Sequence, residues 1–309
     1  MSLDAVVIDG VRKVFGRHVA VDDLSLRIPA GSLYGFIGPN GSGKTTTLRM
    51  ILRIIPADAG SISVLGKEGR RVSDERVAYL PEERGLYRKM RVREQLIYFG
   101  RLKGLSGAEA RSEAESWLRR LDLVQWGGQK TEALSKGMTQ KVQFISAVIG
   151  RPRLVILDEP FSGLDPVNAE VLREAVQELR KTGTTVIFST HDMAMAEKLC
   201  DCLVMIYRGK KVLDGAVSAI RRQYGSDTIL LDVENPEAFL RVRPSGVEIL
   251  RETPHGFELR APPDSQDLLR RAMAVTTVTR FEVVHPTLHD IFVRIARPVA
   301  ADATTPAEA

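Results

Sequence analysis

Apolar residues fall along this chain in two rhythms, and the changes of rhythm divide it into regions. Near the start, Ala5-Val6-Val7-Ile8 and the alternating stretch from Val19 to Ile28 are interrupted by turn residues at Phe15-Gly16 and Pro29-Ala30-Gly31, which predicts a small antiparallel layer. Ser32-Leu33-Tyr34-Gly35-Phe36-Ile37 reads as a buried strand, and Thr46 to Leu52 as a helix that follows a glycine-rich loop. Ala59 to Gly66 gives a turn and a strand, and Arg76 to Leu80 another strand. From Val92 to Ile149 the rhythm is helical, with Leu96, Tyr98, Phe99 and Leu102 in one segment, Ala110 to Leu121 in a second and Thr139 to Ile149 in a third. A helical subdomain is therefore inserted before the sheet resumes. Leu154 to Leu157 is a buried strand, Ala169 to Lys181 a crossover helix and Thr184 to Phe188 a further buried strand, which completes an α/β core.

Past Tyr224 the elements shorten. Strand Thr228 to Val233, a helix near Pro236 to Val242, a hairpin through Thr253-Pro254-His255-Gly256, helix Ser265 to Val275 and strand Val278 to Val284 follow in the order β-α-β-β-α-β. That order predicts a small α+β, ferredoxin-like unit, which suits regulation or oligomerisation as readily as catalysis. A last helix begins at Pro286-Thr287-Leu288-His289-Asp290-Ile291-Phe292, and residues 298–309, rich in Ala, Thr and Pro, read as a disordered tail.

Composition adds limits rather than direction. An apolar fraction of 44% and a charged fraction of 27% are those of an ordinary globular protein. Lys and Arg number 44 against 39 Asp and Glu, an excess of five that selects neither an anionic nucleotide nor a membrane surface. Runs such as Leu154–Leu157 and Leu203–Tyr207 fall far short of the ~20 apolar residues a bilayer span needs. Met1-Ser2-Leu3-Asp4 shows no basic segment followed by an apolar core, so no secretory signal is expected. Cys200 and Cys202 stand at the start of an apolar strand without a second Cys/His pair nearby, which favours packing over a metal or redox role and fits a reducing cytoplasm.

Candidate chemistry begins at Gly38-Pro39-Asn40-Gly41-Ser42-Gly43-Lys44-Thr45. Its glycines let the backbone wrap with N–H groups turned inward, Lys44 adds a mobile cation and Thr45 a hydroxyl for magnesium, so the loop, with Thr46 behind it, suits a nucleoside triphosphate. Leu154-Val155-Ile156-Leu157-Asp158-Glu159 ends a buried strand in adjacent carboxylates, which strand alternation is expected to point in different directions. Asp158 can then serve a magnesium shell and Glu159 a water attacking the γ-phosphate, against the plainer role of capping the next turn. His191, ending another buried strand, can reach the same phosphate or be structural. Phe15 can stack on a base or simply fill a hairpin. In Leu134-Ser135-Lys136-Gly137-Met138-Thr139-Gln140, a serine and a glycine precede a helix, giving a second potential anion site.

The ordered set Gly38–Thr45, Leu134–Gln140, Leu157-Asp158-Glu159-Pro160, Ser162-Gly163-Leu164-Asp165 and Thr190-His191 resembles an ATP-binding cassette (ABC) ATPase over about residues 4–225. The resemblance implies a P-loop NTPase ABC fold for 1–225 with the helical subdomain at about 86–150, an accessory domain at 226–297 and the tail at 298–309. It implies ATP and Mg2+ as ligands, held in a head-to-tail dimer that sandwiches two ATPs and drives a multi-spanning membrane permease. By position Phe15 is similar to the adenine-stacking aromatic, Lys44 to the β/γ-phosphate cation, Thr45 and Asp158 to the metal partners, Glu159 to the base and His191 to the γ-phosphate sensor. Ser135 and Gly137 would meet the ATP of the opposite subunit, and Asp165 would help couple the two sites.

Two positions depart from the pattern. Glu82, in Tyr79-Leu80-Pro81-Glu82-Glu83-Arg84, stands where a metal-contacting glutamine is usual and adds negative charge there. Lys136 replaces a signature glycine, and its cation either contacts the opposite triphosphate or lies in solvent. The segment from Pro286 to Phe292 is similar to the ending of sodium- and drug-type export ATPases. The resemblance therefore implies a transporter's ATPase subunit, with an exporter preferred, peripheral on the cytoplasmic face of the membrane and without a nucleic-acid partner. The alternative is a soluble ABC ATPase of DNA repair or translation, a class marked by paired cassettes, coiled coils or zinc cysteines. The C-terminal unit is also a candidate to bind a small regulator.

Overall fold

The computed structural model describes residues 4–67, 76–83, 85–224, 228–244, 246–260, 265–284 and 286–296. The chain divides into two compact units, Met1–Ala216 and Val217–Ala309. In the first, β1 (Asp4–Phe15) and β2 (His18–Pro29) form the expected hairpin. They are followed by β3 (Leu33–Ile37), α1 (Lys44–Ile51), β4 (Ala59–Val64), β5 (Val77–Leu80), α2 (Val92–Leu102), α3 (Gly107–Arg120), α4 (Lys136–Val148), β6 (Leu154–Asp158), α5 (Pro166–Lys181), β7 (Thr185–Thr190), α6 (Met193–Leu199), β8 (Cys202–Tyr207) and β9 (Lys210–Ala216). One antiparallel sheet runs β2-β1-β4; a second runs β5-β6-β7-β3-β8-β9, parallel until β9 turns back on β8. Every residue of β3, β6 and β7 is buried, as expected of central parallel strands covered on both faces.

Register is what assembles the site. Asp158 lies opposite Ser189 and Ile37 opposite Thr190, so the loops leaving β3, β6 and β7 emerge side by side at the carboxyl edge of the sheet. Cys200 packs its sulfur over Gly35, where a Cβ would come within 2.5 Å of Sγ, and burial pushes its thiol pKa up. Both cysteines are only partly buried by residue surface, so packing describes the Cys200 sulfur better than the whole pair.

In the helical segment, α3 starts with a capping box: Ser106 Oγ accepts the Glu109 N–H and Glu109 accepts the Ser106 N–H. It then buries Ala110, Ala114, Trp117 and Leu118 on one face, with Trp117 edge-on to Phe144 of α4 at 5.8 Å. Two lysines, Lys141 buried and Lys103 half-buried, close helix ends: Lys141 donates to the Leu121 carbonyl at 3.3 Å, and Lys103 to the carbonyls of Ser146, at 2.7 Å, and Ala147. Burial lowers Lys103 from 10.5 to about 8. Below pH 8 both folded and unfolded chains carry the charge and the folded one bears its full desolvation cost. Between about 8 and 10.5 the unfolded chain binds more protons, so stability rises with pH there. Between pH 7.5 and 9.5 the wild type should gain about 2 kcal/mol, at ~1.4 kcal/mol per pH unit, relative to Lys103→Met in denaturant titrations. Parallel pH profiles would contradict that account of Lys103.

The second unit opens with α7 (Val217–Gln223) and continues through β10 (Thr228–Val233), α8 (Pro236–Val242), β11 (Ile249–Thr253), β12 (Gly256–Arg260), α9 (Ser265–Val275), β13 (Val278–Val284) and α10 (Leu288–Ala296). Its antiparallel sheet has the order β11-β12-β10-β13, the ferredoxin-like arrangement that the β-α-β-β-α-β order predicts. Ile229, Leu231, Phe239, Phe257, Leu259 and Leu268 fill its core. Asn235 caps α8 ahead of Pro236, its side chain accepting the Ala238 N–H at 3.1 Å. At the start of α10, Thr287 and Asp290 exchange side-chain bonds to each other's N–H, a local physical reason for the Pro286–Phe292 motif. The predicted disordered tail, 298–309, lies outside the described residues.

Candidate nucleotide site

The loop from Gly38 to Gly43 is held where side chains would not fit. A Cβ on Gly38 would come 2.1 Å from the Ile206 carbonyl oxygen, and one on Gly43 2.5 Å from that of Ala20; their φ angles are 146° and 109°. Glycine at both positions lets the loop tuck against β8 and β2 while its N–H groups wrap inward. Lys44, the first residue of α1, is buried and donates to the carbonyls of Gly38, at 2.7 Å, and Pro39, at 3.1 Å. Burial pulls its pKa down, while Glu159, Asp158 and Glu82 pull it back up. Ser42 Oγ is buried and has no hydrogen-bond partner among the described residues. A curled loop with an orphaned hydroxyl and a cation fits an anionic, acceptor-rich ligand such as a triphosphate.

Asp158 ends β6 and accepts from Thr45 Oγ1 at 3.2 Å, from Tyr79 at 3.4 Å and from Ser189 Oγ at 2.5 Å. Ser189 Oγ also accepts the Glu159 N–H at 3.1 Å, so one hydroxyl positions both acids. The two carboxylates do face different partners, Thr45 for Asp158 and His191 for Glu159, but strand alternation is not the cause. β6 stops at Asp158, and Glu159 enters the left-handed region with φ 49°. A buried non-glycine residue held there is strained backbone at a chemically interesting position. Its carboxylate faces His191, with Oε1 3.1 Å from Nδ1.

Phe15, 49% exposed, lines the same cavity of about 480 Å³ as Asn40, Gly41, Ser42, Gly43, Lys44, Thr45, Thr46, Glu82, Glu159 and His191. Lys13 sits 5.3 Å from the Phe15 ring centroid and is anchored on Asp58 at 2.8 Å. His18 and Ser162 line the cavity too; His18 was not singled out, and Ser162 stands in the Ser162–Asp165 motif without a role of its own. Gly38, Pro39 and Asp158 stand just behind this lining, through the Lys44 and Thr45 contacts already described.

Ser135, Lys136, Gly137 and Asp165 do not line that cavity. They form a separate surface where the start of α4 meets the start of α5. Ser135 caps α4, its Oγ accepting the Met138 N–H at 3.2 Å. Asp165 caps α5, accepting the N–H groups of Val167, at 3.1 Å, and Asn168, at 3.0 Å, ahead of Pro166. That helix therefore begins three residues before the Ala169 expected from periodicity, and the Asp-Pro pair was the available signal. A Cβ on Gly137 would meet the Asn168 amide at 2.9 Å, and one on Gly163 would meet Lys136 Nζ at 2.0 Å. Lys136 is exposed, yet its ammonium lies along the loop at Gly163 of its own chain. Gln140 ties this helix to the first site, donating to the Pro160 carbonyl at 3.0 Å.

Residues 21–162 match the family model described as ABC transporter, and residues 215–296 match the one described as ATP-binding protein DrrA1-3-like, C-terminal domain. The chain is 43% identical to an uncharacterised ABC transporter ATP-binding protein of Bacillus subtilis (strain 168), YhaQ, over 93% of this chain and 97% of that one. The chain belongs to the ABC transporter ATP-binding proteins. The Nod factor export ATP-binding protein I of Paraburkholderia xenovorans (strain LB400) is 35% identical, covering 94% of this chain and 96% of its own. A solved ATP-binding subunit of an ABC transporter, 31% identical, matches with a TM-score of 0.66 over 71% of this chain and 93% of its own. The chain is thus an ATP-binding, ATP-hydrolysing transporter subunit, of a family that dimerises and works with permease subunits. These relatives lend no support to the repair or translation alternative.

Proposed function

We propose that this subunit binds ATP with Mg2+ in the cavity beside the glycine loop and powers export through a membrane permease. The observation that carries this reading is the convergence of Lys44, Thr45, Asp158, Glu159 and His191 on one sheet edge. Lys44 would exchange its two loop carbonyls for β/γ-phosphate oxygens, with Gly38 to Thr46 supplying N–H groups, and Phe15 would stack on the adenine. Thr45 and Asp158 offer the hard oxygen donors that Mg2+ prefers, with Glu82 near the same shell. The ion, when bound, supplies charge neutralisation between the phosphates.

Glu159 accepts a proton from water as the water oxygen attacks the γ-phosphorus, the bond to the β–γ bridging oxygen breaks, and ADP leaves with inorganic phosphate. His191 holds the Glu159 carboxylate and faces the γ-phosphate. Ser135, Lys136 and Gly137 would close over the ATP of a second subunit, with Asp165 linking the two sites. Tyr87, Tyr98 and Leu102 are exposed beside the stacked pair Tyr87–Phe99, an aromatic surface that supports docking of the permease on the helical segment. Among the described residues no helix is long and apolar enough to cross a membrane; the peripheral place on the cytoplasmic face rests on the permease reading. Export follows the Nod factor relative and the C-terminal unit it shares in overall length.

Magnesium dependence tests the assignment. Chelation should abolish ATP hydrolysis and added Mg2+ restore it, and Asp158→Asn should raise the Mg2+ concentration giving half-maximal rate by about tenfold or more, the loss of one charge-assisted contact. An unchanged Mg2+ requirement in Asp158→Asn would remove that residue from the metal shell.

A further inference from the structure

β13 ends the C-terminal sheet: β10 pairs along one side of it, and no other described strand pairs along the other. Such an edge carries a row of backbone donors and acceptors able to pair with another strand. Phe281 packs inward on the core, as does Val278 beyond a register shift that pairs Arg280 with Asp232 and Val278 with Val233, while Arg280 and Glu282 share the opposite face with side chains 49% and 54% exposed. Within one chain the two charges bond each other, Arg280 Nε to Glu282 Oε2 at 3.0 Å. Beside the edge, Leu269 and Met273 of α9 join residues 276–281 in an open groove, with Met273 64% exposed.

These features are self-complementary. In a two-fold antiparallel pair of identical strands, directly opposed residues must point to the same face, so the axis passes through a residue. Centred on residue 280 the pair would oppose two arginines, and centred on 282 two glutamates. Centred on Phe281 it sets Arg280 of each strand against Glu282 of the other, twice, within the regular stretch of β13 that begins at Arg280, after the register shift beside Val278. Cross-strand like charges destabilise and opposite charges stabilise, which selects the register at Phe281. A two-fold axis normal to the sheet also keeps both copies of α9 on one face, so that Met273 and its counterpart come together over the junction. Isolated edge charges usually deter pairing; this spacing of two residues instead fits one partner, a second copy of the same strand.

We propose that β13 pairs antiparallel with β13 of a second copy, about a two-fold axis at Phe281, and holds two subunits together without nucleotide. This contact goes beyond the ATP reading and does not depend on it. The test uses the full chain, freed of nucleotide with chelator, in sedimentation velocity at low micromolar concentration and moderate salt. Wild type should dimerise. Arg280→Glu and Glu282→Arg should each weaken the dimer at least tenfold, because each opposes like charges twice. An equimolar mixture of the two variants should dimerise as a heterodimer, and the double swap Arg280→Glu with Glu282→Arg should recover wild-type association. Recovery in the mixture also shows that each variant is folded. ATP affinity should be unchanged in all four, which separates this contact from the nucleotide site. A monomeric wild type, equal dimerisation by the single variants, or no rescue in the mixture would overturn the proposal.

Discussion

Replacing Glu159 by Gln should leave ATP binding intact, trap an ATP-bound dimer and reduce hydrolysis by about two orders of magnitude or more, the range of a lost general base. The substitution is close to isosteric and keeps a polar group facing His191, which stands 3.1 Å away. Glutamine accepts the left-handed backbone at φ 49° no worse than glutamate, so the turn after β6 should hold. Removing one negative charge beside the phosphates favours ATP retention, while the attacking water loses its proton acceptor. ATP that stays with the protein through gel filtration in the presence of Mg2+ reads the trapped state, and phosphate release reads the chemistry. Turnover at the wild-type rate would remove Glu159 from the role of base.

Much of this site was legible because its parts are local. The eight residues from Gly38 to Thr45 announce a phosphate loop, since only glycine fits where Ile206 and Ala20 present their carbonyls. The C-terminal topology was legible too, because six short elements in a set order admit few arrangements. What escaped were consequences of register and long-range packing. Ser189 reads as one more residue of a buried strand until the sheet places it opposite Asp158. The direction of Glu159 depends on the backbone at a strand end, which the alternating pattern of β6 does not carry. Lys103 and Lys141 look like surface lysines, and only the packing of α4 against α2 and α3 turns them onto helix carbonyls. Lys136 was open between two readings; its position along Gly163 is a contact between the first residue of α4 and the loop ahead of α5.

The remaining prediction follows from the division of the candidate residues into two surfaces. Lys44 belongs to the cavity and Ser135 to the start of α4, which does not line it. If the catalytic unit is composite, each complete site takes Lys44 from one chain and Ser135 from another. Lys44→Ala removes the cation on the phosphates, and Ser135→Arg fills the surface meant to close on the partner's ATP. Each variant alone then has no intact site and should hydrolyse ATP at roughly 1% of the wild-type rate or less, consistent with losses of several kcal/mol at charged contacts. In a heterodimer of the two, one site combines the Lys44 of one chain with the Ser135 of the other and is whole.

The most direct measurement is therefore the ATPase rate of Lys44→Ala and Ser135→Arg, separately and mixed in equal amounts. With random pairing, half the dimers are mixed and each carries one intact site of two, so the mixture should recover up to roughly a quarter of the wild-type rate per chain. Hydrolysis by Ser135→Arg alone at the wild-type rate would show that the site is complete within one chain, and would contradict the account.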